Sequence, residues 1–198
     1  IISMYNLMSQ PFPILAVTNR SLCSPPFLSQ VVRICQARPA ALILREKDLS
    51  PEEYKILAFQ VLSICRQYQV PCILHTFWQE AAALGCPAIH LPLPLLRSLG
   101  GKPALGQFQT LGTSIHSVEE AVEAVSLGAS YVTAGHIFAT DCKKGLLQSG
   151  LSFLKEVCET VSIPVYAIGG ITFDKTQWNA LKEQGASGAC IMSGMMKL

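Results

Sequence analysis

The segment LGTSIHSVEEAVEAVSLGASYVTAG, residues 111–135, carries two strand patterns separated by one helix pattern. Apolar and β-branched residues at 111–115 and 131–135 predict the two strands. Between them, Ser117 followed by Glu120 is the capping pattern that begins a helix, and Gly128 fits the left-handed position that follows one. This order of elements predicts a β-α-β unit with parallel strands.

The same alternation recurs along the chain. Eight short apolar runs are expected as strands, at 14–18, 40–44, 71–75, 88–91, 111–115, 131–135, 164–168 and 188–192. Ser50, Pro51 and Glu53 give the second helix an N-cap, a proline in its first turn and a capping carboxylate. Eight strands with seven crossovers match a closed barrel better than an open sheet. We therefore predict an α/β protein, a (β/α)8 TIM barrel whose eighth helix is short or missing.

The length of 198 residues suits one domain, and no linker or low-complexity stretch divides the chain. We assign residues 1–12 to an N-terminal extension and residues 13–198 to the barrel. Only residues 195–198 follow the last predicted strand, so the extension, a partner subunit or further residues must cover it. An uncovered strand would favour association, and a homodimer is one expectation.

Composition limits the classes of partner. Hydrophobic residues make up 50% and charged residues 14%, as expected for a sheet buried on both faces. A net charge of +2 without a like-charged block gives no reason to expect a nucleic acid or membrane partner. The eight cysteines include no CxxC pair, which indicates buried thiols in a reducing compartment. We expect a cytoplasmic protein with a small-molecule ligand.

Polar residues collect after the predicted strands, at the rim where barrels of this class build their active sites. All four histidines of the chain lie at or near this rim, at His75, His90, His116 and His136. Arg45 and Lys47 follow the second strand and alternate with Glu46, so both cations would face one side, suited to a phosphate or carboxylate. The alternative for these two cations is a solvated surface pair.

Two glycine-containing sites follow the last two strands. We predict that Gly169, Gly170, Met192 and Ser193 bind a phosphate, because exposed backbone N–H groups in such loops approach anions closely. The alternative is that the two glycines only turn the chain.

His136 is the predicted catalytic residue, because imidazole has a reference pKa near 6.5 and both accepts and returns protons. The alternative is a hydrogen-bonded core histidine. His116 is expected to be structural in its turn, and His90 has no evident partner. The polar segment 137–145 is too long for a simple turn, which favours a loop that closes over a ligand.

The run GHIF at 135–138, followed by TDCKKG at 140–145, resembles the thiazole tautomerase (TenI) branch of the thiamine phosphate synthase superfamily. LREK at 44–47, GTSIHS at 112–117, AIGGI at 167–171 and IMSG at 191–194 support the resemblance in the same order. The resemblance implies a TIM barrel of thiamine biosynthesis whose ligand is a small phosphorylated thiazole. In that branch the histidine matching His136 shifts a proton and so aromatises a carboxythiazole phosphate, with no cofactor and no metal.

Substrate contacts are expected along the rim and in the loop that follows the sixth strand. We assign Arg45, Lys47, His75, Ser114, Thr140, Asp141, Cys142 and Lys143 to substrate binding. Arg45 or Lys47 is expected to bind the substrate carboxylate.

The alternative is the synthase branch, which joins a thiazole phosphate to a pyrimidine diphosphate and implies Mg²⁺ held by two aspartates. The Asn-Asp pair implied after the third strand is here His75-Thr76, and no carboxylate lies within 81–115. The synthase loop Thr-x-Thr-Lys is altered to TDCK at 140–143. We therefore expect an isomerase, the thiazole tautomerase, with thiamine-phosphate synthase as the alternative and a non-catalytic thiazole-phosphate-binding regulator as a third hypothesis.

Overall fold

The computed structural model describes residues 6–138 and 147–198 of the chain. Within them, eight parallel strands form a closed barrel in which each strand pairs with the next along the sequence. The strands are β1 (Ile14–Val17), β2 (Ala41–Leu44), β3 (Cys72–His75), β4 (Ala88–Pro92), β5 (Thr110–Ile115), β6 (Tyr131–Ala134), β7 (Val165–Ile168) and β8 (Gly188–Ile191). β8 closes the barrel on β1, with Leu15 opposite Cys190.

The helices lie between the strands and surround the barrel. They are α1 (Phe27–Gln36), α2 (Pro51–Tyr68), α3 (Trp78–Ala83), α4 (Leu93–Ser98), α5 (Val118–Ser126), α6 (Leu147–Thr160) and α7 (Lys175–Glu183). The predicted (β/α)8 barrel is confirmed, and each predicted strand is found to within one residue at either end.

The predicted helix starts are found at α2 and α5. Before α2, the Ser50 hydroxyl accepts from the Glu53 amide at 3.3 Å, and the Glu53 carboxylate accepts from the Ser50 amide at 2.9 Å. Before α5, Ser117 accepts from the Glu120 amide at 3.1 Å. The Glu120 carboxylate, however, accepts from the amide of His116, one residue before the N-cap, at 2.6 Å. This variant of the capping box fixes the backbone that presents His116 at the rim.

Alternation along the strands divides the buried residues into two layers. Leu15, Val17, Ile43, Ile73 and Cys190 belong to a cluster inside the barrel. Their neighbours along each strand point outward and pack against the helices. This is why the strand sequences are apolar on both faces.

The chain after β8 forms a short 3₁₀ helix, Met195–Lys197, where a full helix is usual. Met195 and Met196 are buried, and the Gln30 side chain in α1 donates to the Met195 carbonyl at 2.7 Å. This short helix therefore packs against α1. Near the other terminus, Leu7 is buried and its amide donates to the Ala37 carbonyl at 2.9 Å, so it lies beside the connection from α1 to β2.

The described cysteines are free thiols, and Cys35, Cys65, Cys86 and Cys190 are buried, as the sequence predicted. Among the described residues, no helix combines the length and the apolar character needed to cross a bilayer.

Candidate functional site

A cavity of about 640 Å³ opens at the carboxyl ends of the strands. Its lining includes the predicted rim residues Arg45, Lys47, His75, His90, Ser114, His116, His136, Gly169, Gly170, Met192 and Ser193. The volume lies within the range typical of small-molecule sites. The remaining predicted contacts, Thr140, Asp141, Cys142 and Lys143, lie outside the described residues.

Arg45 and Lys47 line the cavity, whereas Glu46 between them points away from it. Glu46 is 3% exposed, and the Arg20 amide N–H donates to both of its carboxylate oxygens, at 3.0 and 3.1 Å. Burial raises the pKa of Glu46, and the hydrogen bonds and positive charge of Arg20 oppose that shift. The predicted alternation therefore places both cations on the ligand side.

His90 lies inside the barrel and joins three strands. Its Nδ1 is 2.9 Å from the Tyr131 hydroxyl, and its Nε2 is 2.8 Å from the Ser114 hydroxyl. The Thr133 hydroxyl donates to Ser114 at 3.0 Å. No partner for His90 was evident from the sequence, and the barrel supplies partners on β5 and β6.

His75 ends β3 and stacks against His90, with ring centroids 5.1 Å apart. Its Nδ1 lies 2.7 Å from the Thr76 hydroxyl. Burial lowers the pKa of both histidines, to about 3 for His90, and the positive charges of Lys47 and Arg45 act in the same direction. Both rings are therefore neutral at neutral pH, and they give this side of the cavity a polar but uncharged floor.

Tyr54 in α2 holds the ends of two strands and was missed by the sequence analysis. Its buried hydroxyl donates to the Leu44 carbonyl at 2.7 Å and accepts from the His75 amide at 2.8 Å. It therefore fixes the backbone on which Arg45 and His75 stand. Tyr54 is 21 positions from His75 in sequence, and no local sequence motif predicts their contact.

His116 and His136 lie on the opposite wall, with ring centroids 5.7 Å apart. The His136 side chain is exposed to the cavity, so it is not the core histidine that the sequence left as an alternative. The His116 amide donates to the Glu120 carboxylate, its Nδ1 is 3.5 Å from the same carboxylate, and the residue also lines the cavity.

Gly169 and Gly170 pack against the segment that follows β6. The Phe138 amide donates to the Gly169 carbonyl at 3.0 Å, which extends the pairing of β6 with β7. A Cβ on Gly170 would lie 2.3 Å from the Phe138 carbonyl oxygen, and one on Gly169 would lie 3.0 Å from the His136 Cα. Both glycines have positive φ, 106° and 64°. Glycine is thus required here by close backbone packing, and both residues also line the cavity.

The Mg²⁺ site implied for the synthase branch does not fit the residues present. Of the described residues that line the cavity, only Glu120 carries a carboxylate, and it is bonded to the His116 amide. No group of three or more His, Cys, Asp or Glu side chains in residues 6–138 and 147–198 is arranged to hold a metal ion. At the end of β3, His75 and Thr76 stand where carboxylate oxygens, the ligands Mg²⁺ prefers, would be needed.

Comparisons with known proteins bear on the reaction. The chain is 34% identical over 182 residues to "Thiamine-phosphate synthase 2" of Streptococcus pneumoniae, covering 91% of this chain and 86% of the relative. It is 31% identical over 191 residues to the thiamine-phosphate synthase of Caldanaerobacter subterraneus, covering 93% and 86%. A solved structure, a thiamine phosphate pyrophosphorylase from Pyrococcus furiosus, superposes with a TM-score of 0.78 at 26% identity, covering 98% of this chain and 89% of that one.

These relatives correct the expected activity. The sequence favoured a thiazole tautomerase, an isomerase, but both curated relatives are named synthases and the similarity spans nearly the whole chain. The expectation was wrong because it took the absence of acidic residues near β3 as evidence about the reaction.

The family assignment follows from the whole barrel. The family model described as thiamine monophosphate synthase matches residues 14–195, from the first residue of β1 into the 3₁₀ helix after β8. The match therefore includes every strand that contributes to the cavity rim. This chain belongs to the thiamine monophosphate synthase family.

Proposed function

We propose that the chain is a thiamine-phosphate synthase, a transferase that joins a pyrimidine diphosphate to a thiazole phosphate and releases pyrophosphate. The observation that carries this proposal is a single cavity with two ends suited to anions. Arg45 and Lys47 lie at one end, and the glycine-containing loops after β7 and β8 form the other. A reaction between two phosphorylated substrates needs two such ends in one cavity.

The charged end is suited to the diphosphate. When the new bond to the thiazole forms, the bond that holds the diphosphate on the pyrimidine breaks, and the leaving pyrophosphate takes the electron pair. Negative charge therefore grows on the leaving oxygens. Arg45 and Lys47 would stabilise that charge through charge-assisted hydrogen bonds, which strengthen as the charge develops.

The loops after β7 and β8 are suited to the thiazole phosphate. Gly169 and Gly170 present backbone to the cavity without side chains, and Ser193 adds a hydroxyl at an exposed position after β8. In barrels of this class a phosphate commonly binds between the loops that follow strands seven and eight. We propose that the phosphate anchors the thiazole here and orients its ring toward the pyrimidine.

The neutral floor formed by His75 and His90, beside the charged end, orients the substrates. His90 has both ring nitrogens occupied by Tyr131 and Ser114, so it acts through shape and through the placement of Ser114. Because the bond change moves no proton, we propose His136 as a substrate contact in place of the acid-base role that the sequence favoured.

The test is an assay for product. Wild-type protein is mixed with the pyrimidine diphosphate and the thiazole phosphate, and thiamine phosphate and pyrophosphate are quantified by chromatography. The proposal expects both products in equal amounts and none when either substrate is omitted. If folded protein yields no thiamine phosphate, with or without added MgCl2, the proposal is wrong.

A further inference from the structure

The end of β3 has an unusual backbone. Thr76 has a φ of 68°, and the Phe77 amide donates to the His75 carbonyl at 2.8 Å, which closes a three-residue turn centred on Thr76. A β-branched residue at positive φ is strained, whereas Asn, Asp and Gly adopt this region more readily. The Thr76 hydroxyl is 2.7 Å from His75 Nδ1, so the strained residue is fixed to a cavity-lining side chain. Thr76 thus occupies a turn that Asn, Asp or Gly would adopt with less strain.

The neighbouring carboxylates are bound elsewhere. Arg20, in the segment after β1, makes salt bridges to Glu46 at 3.1 Å and to Asp48 at 2.8 Å. Glu46 and Asp48 flank Lys47 in sequence, and neither lines the cavity. Arg20 therefore pairs with the two carboxylates that lie next to Lys47 in sequence.

The cationic end lacks an anion within the protein. In the part of the chain that the structure describes, neither Arg45 nor Lys47 makes a salt bridge, although both line the cavity. Burial lowers the pKa of Lys47, and the adjacent charge of Arg45 lowers it further. His75 and His90 beside them are neutral and add no negative charge. An anionic ligand would relieve the repulsion between the two cations.

We infer that this cavity binds the diphosphate group of its ligand without a divalent cation, with Arg45 and Lys47 supplying the charge and Arg20 holding Glu46 and Asp48 away. The inference rests on the proposed function, because it takes the ligand to be a diphosphate. Magnesium normally gathers the phosphate oxygens between carboxylates, and here guanidinium and ammonium groups do so directly. Arg20 is then a positioning residue that keeps the two cations unpaired.

The test is calorimetric titration of inorganic pyrophosphate into wild-type protein, once in EDTA and once with MgCl2. We expect affinities within about threefold of each other. A gain of about tenfold or more with MgCl2 would overturn the inference, and so would the absence of binding under both conditions.

Matched variants locate the site. Lys47→Gln should weaken pyrophosphate binding in EDTA by about tenfold, whereas Lys55→Gln, on the exposed face of α2, should leave it unchanged. Arg20→Gln should also weaken binding, since the released Asp48 competes for the cations while the backbone amide of residue 20 still holds Glu46, and it should make the affinity rise with MgCl2. Equal affinities for Lys47→Gln and wild type would place the anion elsewhere and overturn the inference.

The product assay separates this inference from the proposed function. Pyrophosphate binding in EDTA by a protein that forms no thiamine phosphate supports the inference and overturns the proposed function. Formation of thiamine phosphate that requires MgCl2 supports the proposed function and overturns the inference.

Discussion

One end of the cavity is lined by side chains and the other mainly by backbone. At the end after β2 and β3, Arg45, Lys47 and His75 line the cavity with their side chains. At the end after β7, Gly169 and Gly170 contribute only backbone, held against the segment after β6. A single substitution can change the chemistry of a binding site that is built from side chains. A site built from backbone groups changes only when the packing that positions the backbone changes. One departure from the synthase pattern, His75-Thr76, lies at the side-chain end, whereas the other, TDCK at 140–143, lies outside the described residues.

The largest effect is expected at the backbone end, on stability. Gly170→Ala places a Cβ at positive φ and 2.3 Å from the Phe138 carbonyl oxygen, so the chain must shift. We expect a loss of about 3 kcal/mol in unfolding free energy, measured by urea denaturation. Gly100→Ala is the matched control, since its φ is +81° but a Cβ would meet nothing within 4 Å. It should lose only about 1 kcal/mol, and equal losses would refute the packing role of Gly170.

At the side-chain end, the effect should fall on activity and spare stability. Arg45→Gln removes a charged donor from the proposed site of the leaving diphosphate and should lower kcat/KM by about 100-fold, or about 2.7 kcal/mol. Its urea midpoint should stay close to that of the wild type. Arg66→Gln, an exposed arginine near the end of α2, is the control and should leave kcat/KM unchanged. If Arg45→Gln lowered both stability and activity, the side-chain end would not differ from the backbone end in the way proposed.

The neutral histidines predict a dependence of stability on pH. The pKa of His90 is about 3 in the folded protein against a reference near 6.5 in the unfolded chain, so the unfolded chain binds more protons between these values. Unfolding free energy therefore falls as pH drops below about 6.5, and His90 alone should cost about 2 kcal/mol between pH 7 and pH 5.

His75 acts in the same direction. The measurement is urea unfolding at pH 7, 6 and 5, with His90→Gln as the comparison. The variant is expected to be less stable at pH 7 and to lose less on acidification. An equal loss in both proteins would show that His90 is not the proton acceptor.

Substitution of Tyr54 tests whether its hydroxyl positions the backbone of the side-chain end. Tyr54→Phe leaves the Leu44 carbonyl and the His75 amide without their buried partner, which should cost about 1.5 kcal/mol of unfolding free energy. Because these groups carry Arg45 and His75, KM for the pyrimidine diphosphate should also rise. Tyr68→Phe, at the last residue of the same helix, is the control. A loss of stability with unchanged KM would limit Tyr54 to a structural role.

The smallest effect is expected at His136. If it contacts substrate without moving a proton, His136→Asn should lower kcat/KM by less than about tenfold, since proton transfer typically contributes 100-fold or more. The assay is thiamine phosphate formation by wild type and variant at equal substrate concentrations. A loss above about 100-fold would restore an acid-base role.

The sequence predicted the barrel well because strand and helix signals are local. Runs of apolar residues and the caps at Ser50 and Ser117 are read within a few positions, and the structure reproduces them. The rim residues were also predicted, since strand ends meet at one face of a parallel barrel.

What the sequence did not reveal depends on contacts between distant residues. The fit of Gly170 against Phe138 and the link from Tyr54 to His75 join segments whose spacing carries no motif. His90 acquired partners only when the barrel register placed Tyr131 and Ser114 beside it. The salt bridges of Arg20 to Glu46 and Asp48 were equally invisible.

The most direct test of a cavity with two anion-binding ends is a crystal structure with thiamine phosphate and pyrophosphate, grown without divalent cations. We expect pyrophosphate oxygens about 3 Å from the side chains of Arg45 and Lys47. We also expect the phosphate of thiamine phosphate about 3 Å from backbone N–H groups after β7 and β8. Both anions at one end, or pyrophosphate away from Arg45 and Lys47, would contradict it.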